Sequence, residues 1–476
     1  MVHSLFYFTN YMSDNNNTRP RPVSNGVNKL FFDNSIGRII EKIRAKEIST
    51  SDVLNASIEN IKEFDPKYFA WVTYRDSKWK APESRAPMDG PVLASRFLDG
   101  IPVGIKDIYN TYDFPTEMGS PLWKGFTPGN DARAVFNLKR QGAIVVGKTV
   151  TAEFAVHALN KTLNPHDVSK TPGTSSSGSA VALALGMVPI AVGSQTAGSI
   201  VRPASFCGVY GCKPSFGTIP RTGTLKTTDS LDTLGFLVIH QEDLRRGFDS
   251  MRVSGLDYPI SNSVLCDESR QKRPSGRPWR VGFAKTHTWK DAPKYAKDAI
   301  EGYVKKLAVE KDIDITEAEL PTQLQRAHTI HETIYNKALS YYFKGEHKQS
   351  DFVSPIMNEL IAKGSSIELD VYAKATDDQM ELIHDMDDFF SGYDILISLS
   401  TAGEAPPRDI AELPDPALMW TLAHLPVVAV PQFKSPSGLP FGMQVVARKY
   451  NDYLLFDFLD NLAARDLISK TGVHIV

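Results

Sequence analysis

Short apolar runs alternate with helix-like segments along much of this chain of 476 residues. Residues 101–105 (IPVGI) and 143–147 (AIVVG) have the length of buried strands, and residues 131–142 (DARAVFNLKRQG) repeat apolar positions at helical spacing. Residues 177–186 (SGSAVALALG) and 188–194 (VPIAVGS) continue the alternation as a helix and a strand. The pattern predicts an α/β fold around a largely buried sheet.

The apolar pattern predicts one structural core rather than a string of domains. Two amphipathic helices are expected at its start, and Ser49 and Asp52 have capping-box spacing at the beginning of the second. Strand-like runs return toward the C-terminus at residues 394–399, 426–430 and 442–448, and a helix follows at 453–464. We therefore expect a single domain over residues 31–476, preceded by a flexible N-terminal tail over residues 1–30.

Composition and charge argue against nucleic-acid and membrane partners. The chain is 42% hydrophobic and 23% charged, and its formal net charge of −2 provides no basic field for nucleic acid or an anionic membrane. The apolar patch at residues 5–8 is too short for a signal-peptide core or a membrane span. Cys207, Cys212 and Cys266 form no disulfide framework, which is typical of a reducing compartment. We predict a cytoplasmic protein.

Several common catalytic motifs are absent from the sequence. It has no GxSxG nucleophile elbow, no P-loop and no dinucleotide-binding fingerprint. His328 and His331 stand three residues apart without an HExxH pattern, so a solvated helix face explains them better than a metal site. We therefore predict neither a metal nor a cofactor.

Lys106 directly follows an apolar strand in the segment GIPVGIKD (residues 100–107). Burying an ammonium group costs free energy, so a lysine is unusual at this position. Its side chain could reach water from the end of the strand, or burial could lower its pKa until the neutral amine acts as a base. The segment alone leaves both interpretations open.

Three consecutive serines precede an apolar helix in the segment TPGTSSSGSA (residues 171–180). Such a cluster is more often a helix cap than a catalytic group. A second turn of small residues, GSQTAGS (residues 193–199), follows the next strand and ends at Ser199. Ala197 and Gly198 would let backbone N–H groups approach a carbonyl oxygen, as an oxyanion hole requires.

Together, the three segments resemble the signature of the amidase signature family. That family combines a GGSSGGS-like serine cluster, a GSxTxGS turn and an upstream GIPxxxKD lysine, which this chain matches with GTSSSGS, GSQTAGS and GIPVGIKD. Ser175 and Ser199 are 24 residues apart, which is the family's spacing. Further segments in the family's order extend the resemblance to the C-terminus, and it is weakest over residues 255–390.

The resemblance implies a fold and a catalytic triad. The fold is a single large mixed β-sheet covered by α-helices on both faces, with residues 255–390 as a variable helical region that shapes the substrate site. Ser199 is implied as the nucleophile and Lys106 as the base. Ser175 is implied as the serine that bridges them, joined to Thr174 by a cis peptide bond.

Neighbouring residues are implied to have supporting roles. The backbone of Thr196, Ala197 and Gly198 would form the oxyanion hole, and Ser176 would hydrogen-bond near the triad. The remaining serine of the cluster, Ser177, is then predicted to cap the helix.

Four positions depart from the family's commonest pattern without removing an atom of the triad. Gln195 stands where many members have Asp, Ala197 where many have Gly, Thr174 replaces the second glycine of the cluster, and Arg202 lies one position later than the usual arginine. The change at Gln195 makes the glutamine-hydrolysing subunit of the tRNA-dependent amidotransferase a less favoured identity.

We predict an amidase that hydrolyses a small-molecule carboxylic amide through an acyl-enzyme on Ser199. The same acyl-enzyme, resolved by an amine or alcohol, would instead make an amide- or ester-forming acyltransferase. A protein of the same fold that had lost the chemistry would instead be a binding protein. The sequence leaves open whether the protein forms a homodimer. Tyr335, Tyr341 and Phe343 are candidate substrate contacts, although such an aromatic stripe is more often core.

Overall fold

The computed structural model describes residues 27–76, 96–255, 258–273, 275–410 and 412–473. Residues 1–26 of the predicted tail lie outside the described residues, and the first described helix begins at Leu30. One sheet of eleven strands forms the centre of the described chain. In chain order the strands are β1 Trp71–Tyr74, β2 Pro102–Lys106, β3 Ile144–Thr149, β4 Ile190–Gln195, β5 Tyr210–Lys213, β6 Thr233–Val238, β7 Trp279–Phe283, β8 Ile313–Glu317, β9 Ile395–Leu399, β10 Val427–Lys434 and β11 Pro440–Ala447.

The sheet is mixed, as the resemblance implies. Its strand order is β1-β3-β2-β4-β6-β5-β10-β11-β9-β7-β8. β2 is parallel to β3 and β4, β7 is parallel to β8 and β9, and the other neighbours are antiparallel. Every residue of β2, β4, β6, β9 and β11 is buried, which explains their nearly continuous apolar sequences.

Helices of the described chain cover both faces of the sheet. In α5 all eight residues are buried, and this helix packs on β2 and β4, while α6 packs on β10 and β11. Ser49 and Asp52 form the predicted capping box of α3. The helices are α1 Leu30–Asp33, α2 Ile36–Arg44, α3 Thr50–Tyr68, α4 Arg133–Arg140, α5 Ser177–Ala184, α6 Val201–Cys207, α7 Asp243–Met251, α8 Pro259–Cys266, α9 Glu268–Gln271, α10 Lys294–Leu307, α11 Ala327–Tyr342, α12 Lys344–His347, α13 Pro355–Ser365, α14 Leu369–Phe389, α15 Leu418–Leu422 and α16 Asp452–Ala464.

The region predicted to be helical, residues 255–390, also contributes two strands to the sheet. β7 and β8 extend the sheet beyond β9, and α11 then packs against α13, α14 and α15. This region therefore joins the core through both its strands and α11. None of the helices in the described part of the chain is both long enough and apolar enough to cross a membrane.

Candidate active site

The ends of β2 and β4 bring Lys106 and Ser194 together. Val103 lies opposite Ile190 in the parallel register of these strands, so the last residue of β2 ends beside the last residues of β4. Lys106 Nζ lies 2.9 Å from Ser194 Oγ. The carboxyl edge of a parallel strand pair is a common position for a functional site.

Lys106 Nζ contacts three serine hydroxyl groups. The distances are 2.7 Å to Ser175 Oγ, 3.0 Å to Ser176 Oγ and 2.9 Å to Ser194 Oγ. A neutral amine has two N–H donors and one lone pair, so one of these hydroxyls must donate its proton to the amine. Ser176 Oγ donates to the Ser194 carbonyl oxygen at 3.2 Å and therefore accepts from Lys106. In the neutral amine, the hydroxyl that would donate to the lone pair is therefore that of Ser175 or Ser194.

The protein environment disfavours the charged form of Lys106. Burial holds the pKa of this fully buried side chain well below its ordinary value, Asp232 raises it, and Arg202 lowers it further. Among the described residues, no carboxylate forms an ion pair with Lys106. Asp107 is directed away from it and pairs with Lys148 at 2.9 Å, as the alternation of side chains along a strand predicts.

The helix after the serine cluster is not capped by Ser177. Ser177 is the first residue of α5, and its Oγ accepts a hydrogen bond from Asn160 Nδ2 at 2.8 Å. The residue at the cap position, Ser176, makes no side-chain capping bond. The first-turn N–H of Gly178 instead donates to the Val150 carbonyl at 3.2 Å. A neighbouring loop thus fills the role predicted for Ser177.

Arg202 holds the peptide bond that precedes Ser175. The Thr174–Ser175 bond is cis, as the resemblance implies, and Arg202 Nη2 donates to the Thr174 carbonyl at 2.5 Å. Arg202 also forms ion pairs with Glu412 at 2.8 Å and Asp415 at 2.5 Å. Burial disfavours its charge, but the two carboxylates raise the pKa of Arg202 above its ordinary value.

The turn from Thr196 to Ser199 presents unpaired backbone N–H groups. In the described chain, the N–H groups of Thr196, Ala197, Gly198 and Ser199 donate to no acceptor. Ser199 is largely buried and keeps 8% of its surface exposed. Among the described residues, no hydrogen bond joins Ser199 Oγ to Ser175, so the proton relay between these two serines is not formed in this structure.

The three aromatic candidates differ in their surroundings. Tyr335 lies beside the site, and its ring stacks on His331, whose Nε2 donates to the Thr196 carbonyl at 2.8 Å. Tyr341 is 76% exposed. Phe343 is buried in an apolar cluster of α11 and α13 with neighbouring loops, and Tyr335 packs against this cluster.

His328 and His331, which lie on the same helix, contact different neighbours. His331 contacts the Thr196 carbonyl, whereas His328 Nδ1 contacts His287 Nε2. Within the described ranges, no group of three or more His, Cys, Asp and Glu side chains could hold a metal ion.

Sequence reasoning missed two residues that the structure adds to the site. Ser194 contacts Lys106, and the parallel register of β2 and β4 was the signal that could have identified it. Asp232 accepts the Thr196 hydroxyl at 2.9 Å and the Thr227 N–H at 2.7 Å, which fixes the loop beside the turn. Nothing in the local sequence around Asp232 indicated this contact.

The mixed sheet, the buried lysine among serine hydroxyls and the turn with unpaired N–H groups define the class of amidase-signature enzymes. The sequence profile of the amidase family matches residues 52–456, and the chain belongs to this family. The family relation supports cleavage of amide carbon–nitrogen bonds as the general chemistry.

Relatives of known sequence and structure agree with this assignment. The chain is similar to a glutamyl-tRNA(Gln) amidotransferase subunit of Staphylococcus epidermidis, at 29% identity over 89% of this chain and 95% of the relative. The solved glutamyl-tRNA(Gln) amidotransferase subunit from Thermotoga maritima has 24% identity and a TM-score of 0.75, covering 94% of this chain and 100% of that one. The peptide amidase of Stenotrophomonas maltophilia has 22% identity and a TM-score of 0.76, with the same coverage. At these identities, the two solved structures show the fold alone.

Proposed function

We propose that this protein is an amidase that hydrolyses a small-molecule carboxylic amide to an acid and ammonia or an amine. The observation that carries the proposal is the fully buried Lys106, whose Nζ lies 2.7 Å from Ser175 Oγ. Burial favours the neutral amine, and a neutral amine beside a hydroxyl can accept a proton through it. Ser199 lies in the adjacent turn and is the proposed nucleophile.

The proposed first half of the reaction forms an acyl-enzyme. Ser199 Oγ attacks the amide carbonyl carbon, its proton passes to Ser175 Oγ, and Ser175 passes its own proton to Lys106 Nζ. The charge that develops on the carbonyl oxygen would bind to the free N–H groups of Ala197 and Gly198. Lys106 then returns a proton through Ser175 to the nitrogen, the carbon–nitrogen bond breaks, and ammonia or an amine leaves.

The proposed second half consumes water. Water gives a proton to the same relay as its oxygen attacks the acyl carbon, and the acid leaves when the bond to Ser199 Oγ breaks. The proton returns to Ser199, so the protein ends unchanged. Lys106, Ser175 and Ser199 all belong to one chain, so the chemistry does not require a homodimer. The net charge of −2 supports a small-molecule substrate rather than nucleic acid, and we infer a cytoplasmic location from cysteine usage.

A fluorophosphonate probe tests the proposal, because labelling requires an activated serine. The Ser199 Oγ–phosphorus bond forms, fluoride leaves, and the hydroxyl proton passes to the relay. We expect mass spectrometry to locate the label on Ser199. Ser199→Ala should lose labelling and all turnover of a panel of primary amides, anilides and esters, while its thermal unfolding stays unchanged. Ser365→Ala, at an exposed position of α13, is the control and should behave as wild type.

Two results would contradict the proposal. A folded Ser199→Ala protein with wild-type labelling or turnover would remove Ser199 as the nucleophile. Product formed only when an amine or alcohol is added, with no free acid in water alone, would instead identify an acyltransferase.

A further inference from the structure

The turn that carries the proposed oxyanion hole is held by its carbonyl oxygens. Thr196 O accepts a hydrogen bond from His331 Nε2 at 2.8 Å, and Ala197 O accepts one from Thr421 Oγ1 at 2.7 Å. In a trans peptide unit, the C=O and the following N–H point in opposite directions. The two bonds therefore direct the N–H groups of Ala197 and Gly198 away from His331 and Thr421, toward the side where they have no acceptor among the described residues.

Gln195 sets the direction of the Thr421 hydroxyl. Its Oε1 accepts the N–H groups of Ile200 and Val201 at 2.9 and 3.0 Å, which leaves Nε2 to donate to Thr421 Oγ1 at 2.9 Å. Thr421 accepts from Gln195 and has a single hydroxyl proton, for which Ala197 O at 2.7 Å and Ala417 O at 3.3 Å are the two acceptors. The shorter distance favours Ala197 O. A carboxylate at position 195 can only accept, and it would compete with Ala197 O for the same proton.

His331 is suited to hold the other peptide unit. It is 5% exposed, its ring stacks on Tyr335, and burial lowers the pKa of the imidazole to about 4. The ring is therefore neutral near pH 7. Because a carbonyl oxygen can only accept, the proton must be on Nε2. His331 belongs to α11, so the helical region of the chain is connected directly to the turn before Ser199.

We infer that His331 and Thr421 are positioning residues for the oxyanion hole and that Gln195 orients Thr421. The inference rests on the proposed function. The two side chains act through the peptide units of residues 196–198 and need not touch the substrate. Loss of either bond frees a peptide unit to rotate, which weakens stabilisation of the transition state more than binding of the ground state.

Paired substitutions separate this role from a general loss of structure. Thr421→Val removes the hydroxyl at similar volume, and Thr421→Ser keeps it. His331→Leu removes the donor, and His331→Gln keeps an N–H donor. We expect the rate of fluorophosphonate labelling of Ser199, and kcat on a substrate from the amide panel, to fall about tenfold to hundredfold in the valine and leucine variants. KM should change by less than about twofold, and the serine and glutamine variants should recover most of the rate.

Thr162→Val is the matched control. Thr162 is fully buried and donates to the Phe69 carbonyl at 2.8 Å, which is the same kind of bond at a distance from the turn in sequence. Its loss should leave the labelling rate at the wild-type value. If Thr421→Val does not fold, Gln195→Glu tests the same hydrogen bond. This change keeps the side-chain shape, and its carboxylate would accept the Thr421 proton in place of Ala197 O. We expect the same fall in labelling rate.

The possible results distinguish the inference from the proposed function. The inference would be overturned if the wild-type protein is labelled and Thr421→Val, His331→Leu and Gln195→Glu are labelled at the same rate. The proposed function would then remain intact. An equal fall in Thr162→Val would also overturn it, since the effect would then be general destabilisation. A wild-type protein that is not labelled would overturn the proposed function and the inference with it.

Discussion

Lys106 is surrounded by groups that offer hydrogen bonds but little compensating negative charge. Its three contacts are neutral hydroxyls, and the nearby carboxylate of Asp232 is occupied by the Thr196 hydroxyl and by backbone and side-chain donors of Thr227. Desolvation therefore dominates, and the pKa of Lys106 lies well below its ordinary value. As the proposed base, Lys106 would work at a lower pH than an exposed lysine could.

The first prediction concerns the pH dependence that Lys106 causes. A base acts in its deprotonated form, so kcat/KM should rise with pH through the pKa of Lys106, and this rising limb should lie well below 10.5. Lys106→Arg keeps the charge but does not deprotonate, so it should be nearly inactive, as should Lys106→Ala. Steady-state rates on an amide substrate between pH 5 and pH 10 would measure both effects. Lys272→Arg, on an exposed ion pair with Glu268, is the control.

Substantial activity in Lys106→Arg would show that this residue is an electrostatic anchor. The base would then have to be another group. A rising limb near the ordinary lysine value would contradict the effect of burial instead.

Motifs in the sequence were sufficient to name Lys106, Ser175 and Ser199 as candidates. The contacts that hold the turn before Ser199 were not accessible in the same way. Thr421 is 224 residues from Ala197 along the chain, and it reaches Ala197 only because α15 packs beside the turn. Local spacing carries no information about such a contact, because the tertiary fold creates it.

At the scale of elements, α5 lies unusually close to the end of β3. A Cβ atom on Gly178 would lie 2.4 Å from the carbonyl oxygen of Ala70 and 2.4 Å from the nitrogen of Val150. Both are backbone atoms, so a side chain at this position could be accommodated only by moving the helix. The serines that precede α5 would move with it.

The second prediction follows from this close approach. Gly178→Ala should lower the free energy of unfolding by about 1–3 kcal/mol because it overpacks the contact, and it should slow labelling of Ser199. Gly302→Ala is the matched control, since Gly302 lies in α10 with no atom within 4 Å of an added Cβ. That change should raise the free energy of unfolding by about 0.5–1 kcal/mol. Urea unfolding and the labelling rate provide the two measurements, and similar behaviour of the two variants would contradict the prediction.

The elements that the sequence identified are those with long or strongly apolar patterns. β2, β3, β4, β9, β10 and β11 all appear where apolar runs indicated them, and so do α5 and α16. β1, β5, β6, β7 and β8 were missed. β8 alternates the buried Ile313 with the exposed Asp314, so it has little of the continuous apolar character that marks a central strand.

At the scale of the whole molecule, His424 joins parts of the chain that are far apart in sequence. Its Nε2 donates to the Ser230 carbonyl at 2.6 Å, and its ring stacks on Phe216 with centroids 4.0 Å apart. Burial, with a smaller contribution from Lys449, lowers the pKa of His424 to about 3. The folded protein therefore keeps this histidine neutral in mildly acidic solution.

The third prediction is that His424 makes the protein sensitive to acid. Below about pH 6.5 the unfolded chain binds a proton at this histidine and the folded chain does not, so its contribution to stability falls as the pH approaches 3, by up to about 1.4 kcal/mol per pH unit. His424→Asn should make the dependence of unfolding free energy on pH shallower by that amount between pH 6 and pH 4.5. Asparagine tolerates the positive φ of +63° at this position.

Urea unfolding at several pH values measures the slope. His384→Asn, at an exposed position of α14, is the control and should keep the wild-type slope. Parallel curves for wild type and His424→Asn would show that His424 does not cause the sensitivity.

The pairing of β5 with β10 has a consequence for biosynthesis. β5 ends at Lys213 and β10 begins at Val427, yet the two strands are neighbours in the middle of the sheet. A ribosome needs about 10–40 s to add the more than 200 residues between them, and β5 stays an open edge throughout. An open strand edge can pair with other chains, so we expect the yield in a cell to respond to chaperone supply and elongation rate as well as to the stability of the finished protein.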